Sequence, residues 1–187
     1  MHVLVLADQE NNLLSAVINE FREKGVEISL LSQKDVPNED EQIKHLLQTI
    51  ADEKGEIDSF LCLSSSAGID EKIPFFFAKH LSRYFHRSEH PSRKAFVITL
   101  SLDGAFGLEN VHNWSPENGS LTGLVKTLQQ EWPWVYTRIV DLSPELENSQ
   151  AANHILSEWM DADRRLVEVG ITKNARHTIE FTKISQT

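Results

Sequence analysis

The chain has 187 residues, a formal net charge of −10, 40 % hydrophobic and 25 % charged residues, and one cysteine. That composition is that of a globular domain and excludes a disordered tail, a collagen-like fibre and a disulfide scaffold; no apolar run is long enough to span a membrane. The acidic balance argues against general nucleic-acid binding, which draws its affinity from neutralising phosphates. His2–Ala7 reads as a buried parallel strand. Leu13, Leu14, Val17, Ile18 and Phe21 then recur at helical spacing, and Gly25 stands where a C-terminal cap belongs. A strand over 26–31 precedes a helix marked by Ile43, Leu46, Leu47 and Ile50 and closed by Gly55. A strand over 57–63 precedes a helix carrying Ile73, Phe76, Phe77, Leu81, Tyr84 and Phe85. The fourth strand runs over 94–100, and the next helix, with Leu121, Leu124, Val125 and Leu128, must stop near Trp132 because Pro133 follows. A fifth strand over 136–142, a helix with Ala152, Ile155, Leu156 and Trp159, and extended segments over 166–171 and 178–184 complete the chain.

Strand–helix alternation of this kind predicts a single α/β domain spanning residues 1–187, a doubly wound, Rossmann-like fold with a mostly parallel sheet of six or seven strands. The segment 101–120 is the one long irregular stretch. The N-terminus lacks the basic region and cleavage site of a signal peptide. With the lone Cys62, read as buried and inert, this points to a reducing, cytoplasmic setting. Charge is uneven: residues 35–58 hold eight carboxylates and two lysines (−6), whereas residues 72–94 hold six Lys/Arg against one Glu. The plain reading is a solvated acidic helix and a solvated basic one. The sharper reading is a basic face, with Lys79, Arg83 and Arg87, that docks an acidic partner such as an acyl carrier domain.

A Rossmann-like sheet invites a test for a dinucleotide site, in which glycines between the first strand and first helix let the backbone approach the pyrophosphate. Here that junction reads Ala7-Asp8-Gln9-Glu10-Asn11-Asn12, and the first glycine is Gly25, beyond the helix. Short-chain-dehydrogenase chemistry needs a Tyr with a Lys four residues on. The only tyrosines, Tyr84 and Tyr136, are followed at that spacing by Ser88 and Val140. His86-Arg87-Ser88-Glu89-His90 matches an inverted zincin pattern, but Pro91 follows directly and no third ligand is evident, so a helix end on the surface is preferred to a metal site. Ser64-Ser65-Ser66 lacks the glycines of a nucleophile elbow, and Asn118-Gly119-Ser120 reads as a turn. Gly119 and Gly123 are assigned to close helix–sheet contact or a turn. An enzyme reading would have to use Ser101, Asp103 and His112 of the irregular segment. No catalytic, cofactor or metal residue is assigned.

One stretch is more specific. Gly119-Ser120-Leu121-Thr122-Gly123-Leu124-Val125-Lys126-Thr127-Leu128-Gln129-Gln130-Glu131-Trp132-Pro133, running on to Tyr136-Thr137-Arg138-Ile139-Val140-Asp141-Leu142, resembles the ketoreductase region of type I polyketide synthases, and its wording is most like that of polyunsaturated-fatty-acid and related iterative synthases. Arg165–Ile171 resembles that family's E-V-G-Y strand, Arg176-His177-Thr178 its R-x-T, and Ser66-Ala67-Gly68 a worn N-A-G turn. The resemblance implies a ketoreductase built of two Rossmann-like halves. The first is a truncated structural half; the second binds NADPH and reduces the β-keto group of a carrier-bound chain. This sequence looks like the first half alone, so the resemblance implies no cofactor and no catalytic residue here. The implied partners are the catalytic half and neighbouring synthase domains, with an acyl carrier domain as a further candidate and a weak homodimer through an uncovered surface. Candidate interface anchors are Trp114, Trp132, Trp134 and Phe76, in the run Phe75-Phe76-Phe77, each with burial in the domain's own core as the competing reading.

Overall fold

The computed structural model describes residues 1–65, 68–86, 94–109 and 116–180. Among them the chain runs β1 (His2–Ala7), α1 (Asn12–Glu23), β2 (Glu27–Ser32), α2 (Asp40–Lys54), β3 (Ser59–Leu63), α3 (Lys72–His86), β4 (Ala95–Leu100), α4 (Pro116–Glu131), β5 (Tyr136–Leu142), α5 (Asn148–Trp159), β6 (Glu168–Ile171) and β7 (Arg176–His177). One sheet holds all seven strands in the order β2-β1-β3-β4-β5-β6-β7; every pairing is parallel except the last. This is the doubly wound α/β architecture expected from the alternation of elements. The winding reverses between β1 and β3, so their C-terminal ends border the crevice where open α/β sheets place ligands.

The strands read as unbroken apolar runs because both faces of the sheet are covered. Leu4, Leu6, Phe60, Cys62, Phe96, Ile98 and Ile139 face α2, α3 and α4, while Val3, Val5, Leu61, Val97, Val140 and Val169 face α1 and α5. Phe60 stacks on Phe77 and Phe96 at centroid distances of 5.1 and 4.8 Å, and Trp159 packs on Phe21 at 4.8 Å, closing α5 onto α1. α4 ends at Glu131, before Trp132 and Pro133, as proline geometry requires.

Some local expectations are corrected. The ladders of β2, β3, β4 and β6 begin one or two residues later than the apolar runs. Asn118-Gly119-Ser120 is helix, because Pro116 suits a first helical turn; within it the hydroxyls of Ser120 and Thr122 bond back to the carbonyls of Pro116 and Asn118. Gly123 has open space where a side chain would stand, so it serves no close contact. The closing strand is only Arg176–His177; residues 178–180 are not strand, and the rest of the expected segment lies outside the described residues.

Two cations are buried at the N-terminal ends of the strands. Lys94, fully buried, donates to Glu56 at 2.9 Å, Asp58 at 3.0 Å and the carbonyl of Ile57 at 2.9 Å. Arg138, also fully buried, pairs with Glu158 and with Asp161 at 2.8 Å, and donates to the carbonyls of Asp163 and Leu166 at 2.6 and 3.1 Å. Arg176 closes the cluster from β7, reaching Glu158 at 2.6 Å and Asp161 at 3.1 Å. The backbone N–H of Asp163 and the Arg138 guanidinium hold the Asp161 carboxyl below its ordinary value. Removing one partner of a buried ion pair leaves the other uncompensated and costs about 3–5 kcal/mol. Because Arg176 still reaches Glu158 and Asp161, Arg138→Met is expected to lower the unfolding free energy measured in urea by the lower end of that range, and Arg176→Met, at a side chain 41 % exposed, by clearly less.

Candidate functional site

The crevice at the β1/β3 reversal is real but narrowed by the chain's own side chains. A cleft of about 350 Å³ opens at the C-terminal ends of β1, β3, β4 and β5, bordered by the loop from Ala7 to Asn12, by Ser64 and Ser65, by Ser101, and by Ser143 and Asn148. Leu63, Leu100 and Leu142 form its floor. Asp8 ends β1 with its N–H bonded to the carbonyl of Leu63 at 3.3 Å. Its Oδ2 accepts both the backbone N–H and the hydroxyl of Ser65, at 2.7 and 2.6 Å, and Gln9 donates to the same hydroxyl at 2.9 Å. The loops on either side of the reversal are thus tied together through a carboxylate. The N-terminus of α1, which in a dinucleotide site points free N–H groups at phosphate, is capped from within. Asn11 Oδ1 accepts from the N–H of Leu14 at 2.8 Å, and its carbonyl accepts from that of Ser15 at 3.2 Å. Among the described lining residues Asp8 is the only ionisable side chain.

The loop after β4 is equally self-satisfied. Asp103 accepts the N–H groups of Ala105 and Gly107, each at 2.8 Å, and of Glu109 at 3.0 Å. Buried Asp141, at the end of β5, accepts those of Leu102 and Phe106 at 2.8 Å each. Burial pushes the Asp141 carboxyl up, and the two N–H bonds pull it back in part. Left-handed backbone at Gly104, Phe106 and Gly107 (φ 78°, 59° and 76°) turns these amides inward onto the two carboxylates. Asp103, the acid of the enzyme reading, therefore holds a loop. Ser101 lines the cleft, and His112 lies outside the described residues.

The remaining candidates are dispersed. Trp132 is a core residue, 6 % exposed, its ring edge-on to Phe85 and Phe96 at 5.9 and 6.0 Å. Trp134 is half-buried with its ring 4.2 Å from His86, and its indole N–H has no partner among the described residues. Phe76 packs half-buried against the core while its neighbour Phe75 is the exposed member of the run, at 53 %. Trp114 and Arg87 lie outside the described residues, as do Ser66 and Ala67 of the supposed turn.

The acidic and basic segments meet rather than standing apart in solvent. Lys79 pairs with Asp40 of α2, and His80 bonds to the same carboxylate at 2.6 Å. Lys79 beside it holds the Asp40 carboxyl below its usual value. Arg83 lies over the Tyr84 ring at 4.7 Å and donates to its hydroxyl at 2.7 Å. His86 bonds through Nδ1 to the carbonyl of Ser82 at 2.8 Å; the rest of its motif lies outside the described residues. Among the described residues no group of three metal-ligating side chains occurs, and no helix is long and apolar enough to cross a membrane. Cys62 is buried, and burial pushes its thiol up.

The residues that carried the sequence resemblance form a connected structural set. Lys126 of α4 pairs with Glu168 of β6 at 2.8 Å, and Thr178 donates to the Glu168 carbonyl at 2.9 Å. Arg138 and Arg176 share Glu158 and Asp161. Gly170 meets Gly104 so closely that a Cβ on Gly170 would stand 2.1 Å from the Gly104 carbonyl oxygen, and one on Gly104 2.3 Å from that of Ile171. The sequence reading missed this last contact, which presses the loop after β4 onto β6; Gly170 within an apolar strand was its only signal.

The fold is that of the short-chain dehydrogenases. A short chain dehydrogenase from Mycobacterium avium superposes with a TM-score of 0.73 at 11 % identity, covering 100 % of this chain and 87 % of its own. An A-type ketoreductase from a modular polyketide synthase gives a TM-score of 0.67 at 14 % identity, covering 94 % of this chain but 37 % of its own. In sequence, the chain is 34 % identical over 99 residues to one of the subunits of the polyunsaturated fatty acid synthase of a Thraustochytrium species, a match over 49 % of this chain and 4 % of that relative. No protein-family model matches the chain. The likeness in sequence is to part of a polyunsaturated fatty acid synthase subunit, of which the chain spans a small fraction, and the likeness in fold is to short-chain dehydrogenases and modular ketoreductases alike.

The glycines make a stability test of this geometry. Gly170→Ala drives a methyl into backbone and is expected to cost about 1–3 kcal/mol. Gly123→Ala, in helix α4 with nothing within 4 Å, is expected to stabilise by up to about 1 kcal/mol. Chemical denaturation of the two variants checks both signs.

Proposed function

We propose that this chain is the non-catalytic half of a β-ketoacyl reductase in a polyketide or polyunsaturated-fatty-acid synthase. It packs against the NADPH-binding half and holds that half's active site in shape. The observation that carries the reading is that Asp8, Ser65 and Gln9, in place of a glycine loop, narrow the β1/β3 crevice and set a carboxylate in it. A dinucleotide would have to bring phosphate against a fixed carboxylate and a helix end already capped by Asn11. The absent Tyr/Lys pair supports the same reading.

A catalytic site works only if its supporting shell fixes it, and a rigid sister sheet serves that purpose. The interior here suits the task, with Lys94 and Arg138 buried in ion-pair clusters and the loop after β4 fixed by Asp103 and Asp141. Phe75 and Trp134 are the part-exposed aromatics best placed to anchor the partner half.

Reconstitution tests the proposal. The NADPH-binding half of the parent ketoreductase, produced alone, is expected to be poorly stable and slow on a model β-ketoacyl thioester. Adding this chain in trans should give a co-migrating complex and raise turnover. A catalytic half that is equally stable and active without it, or turnover of the ketone by this chain alone, would sink the reading.

A further inference from the structure

We infer that two copies of this chain associate through the free edge of β2, which pairs antiparallel with itself about a two-fold axis at Leu30. The inference goes beyond the scaffold reading and does not depend on it. β2 closes one side of the sheet and pairs only with β1, in unbroken register along its whole length. Glu27 and Gln33 donate their N–H groups to the carbonyls of Met1 and Ala7 at 2.9 and 2.8 Å. The odd-numbered residues of the strand therefore face β1, while Ile28, Leu30 and Ser32 turn their backbone groups outward. Of these outward groups only the Ser32 carbonyl has a partner among the described residues, accepting the N–H groups of Asp35 and Val36 at 2.9 and 3.2 Å. Native sheets shield such an edge with Lys, Pro, a bulge or a very short strand. Ile28-Ser29-Leu30-Leu31-Ser32 carries no charge and no Pro, and Leu30 is 44 % exposed.

Register and charge both select a second copy as the occupant. In an antiparallel ladder two residues directly opposite exchange both N–H···O bonds. Centring the pair on Leu30 sets Leu30 against itself and Ile28 against Ser32, so all three outward residues meet outward residues. They share the α1 face of the sheet with Val3, Val5 and Ala7, so the two exposed leucines meet at the axis. Residues 22–35 hold three cations, Arg22, Lys24 and Lys34, and three anions, Glu23, Glu27 and Asp35. This edge is thus neutral on a chain of net charge −10, which spares two copies much of their mutual repulsion. Lys24, Glu27, Lys34 and Asp35 are exposed and form no ion pair among the described residues. The two-fold brings the Lys24–Glu27 end of each copy beside the Lys34–Asp35 end of the other, cation to anion. A contact of this self-complementary kind closes at a dimer.

Sedimentation velocity of the whole chain over a concentration series, with amide hydrogen exchange read by NMR, tests the inference. A reversible monomer–dimer equilibrium is expected. Exchange at Leu30 and Ser32 should slow as the dimer fills, while Ser29 and Leu31, which face β1, stay unchanged. Leu30→Lys sets like charges together at the axis and should raise the dimer dissociation constant about tenfold or more while the far-UV circular dichroism stays the same. Glu27→Lys should weaken the dimer too, and adding Lys34→Glu should restore it; both positions are exposed, so this pair serves even where Leu30→Lys fails to fold. A chain that stays monomeric to millimolar concentration, a dimer that Leu30→Lys leaves equally tight, or exchange at Leu30 and Ser32 indifferent to concentration would overturn the inference. So would protection of Leu30 that arises only when the NADPH-binding half is added, which would give the edge to that half instead.

Discussion

Ser65 delivers both its N–H and its hydroxyl to one oxygen of Asp8, and through that bond the two loops flanking the sheet's reversal become a single rigid rim. Much of the functional reading depends on it. In a doubly wound sheet this is where phosphate meets the first helix, and glycine is needed because only bare backbone can come close enough. A carboxylate at that position changes the sign of the local charge and narrows the space. With Asn11 capping the helix end, the crevice presents a carboxylate and a capped helix where a dinucleotide-binding protein presents glycines and free N–H groups.

The same device recurs across the sheet. Amides of the loop after β4 turn inward onto Asp103 and Asp141, and the ends of β5 and β7 gather carboxylates around Arg138 and Arg176. Each cluster is internally neutralised or hydrogen-bonded, as buried charge must be. The interior is therefore held by polar contacts that tolerate little displacement, which is the property a supporting sheet needs and a hinge or lid lacks.

The fold was largely legible in the sequence. Five helices and the strands fell where 3.6-residue spacing and apolar runs put them, because tertiary packing here agrees with local pattern. Errors came where local chemistry has two outcomes. Asn118-Gly119-Ser120 has turn composition, yet Pro116 nucleates a helix through it. The strand starts were set by the ladder and not by where apolar residues begin. At the candidate site the missing residue types were legible, with no glycine before α1 and no Lys four residues after either tyrosine. What filled the gap was not, since the Asp8–Ser65 bond joins residues 57 positions apart and neither stands out alone. Likewise the motif residues Lys126, Arg138, Asp141 and Gly170 could be recognised from sequence, but only their contacts show that they brace the β5–β6 side of the sheet.

The central claim is that the crevice at the β1/β3 reversal is closed to a phosphorylated dinucleotide, and calorimetric titration of the folded chain with NADPH tests it most directly. The account predicts no saturable heat. Saturable binding of NADPH near micromolar affinity would contradict it, because it would require a phosphate site formed without glycines and beside an ionised Asp8.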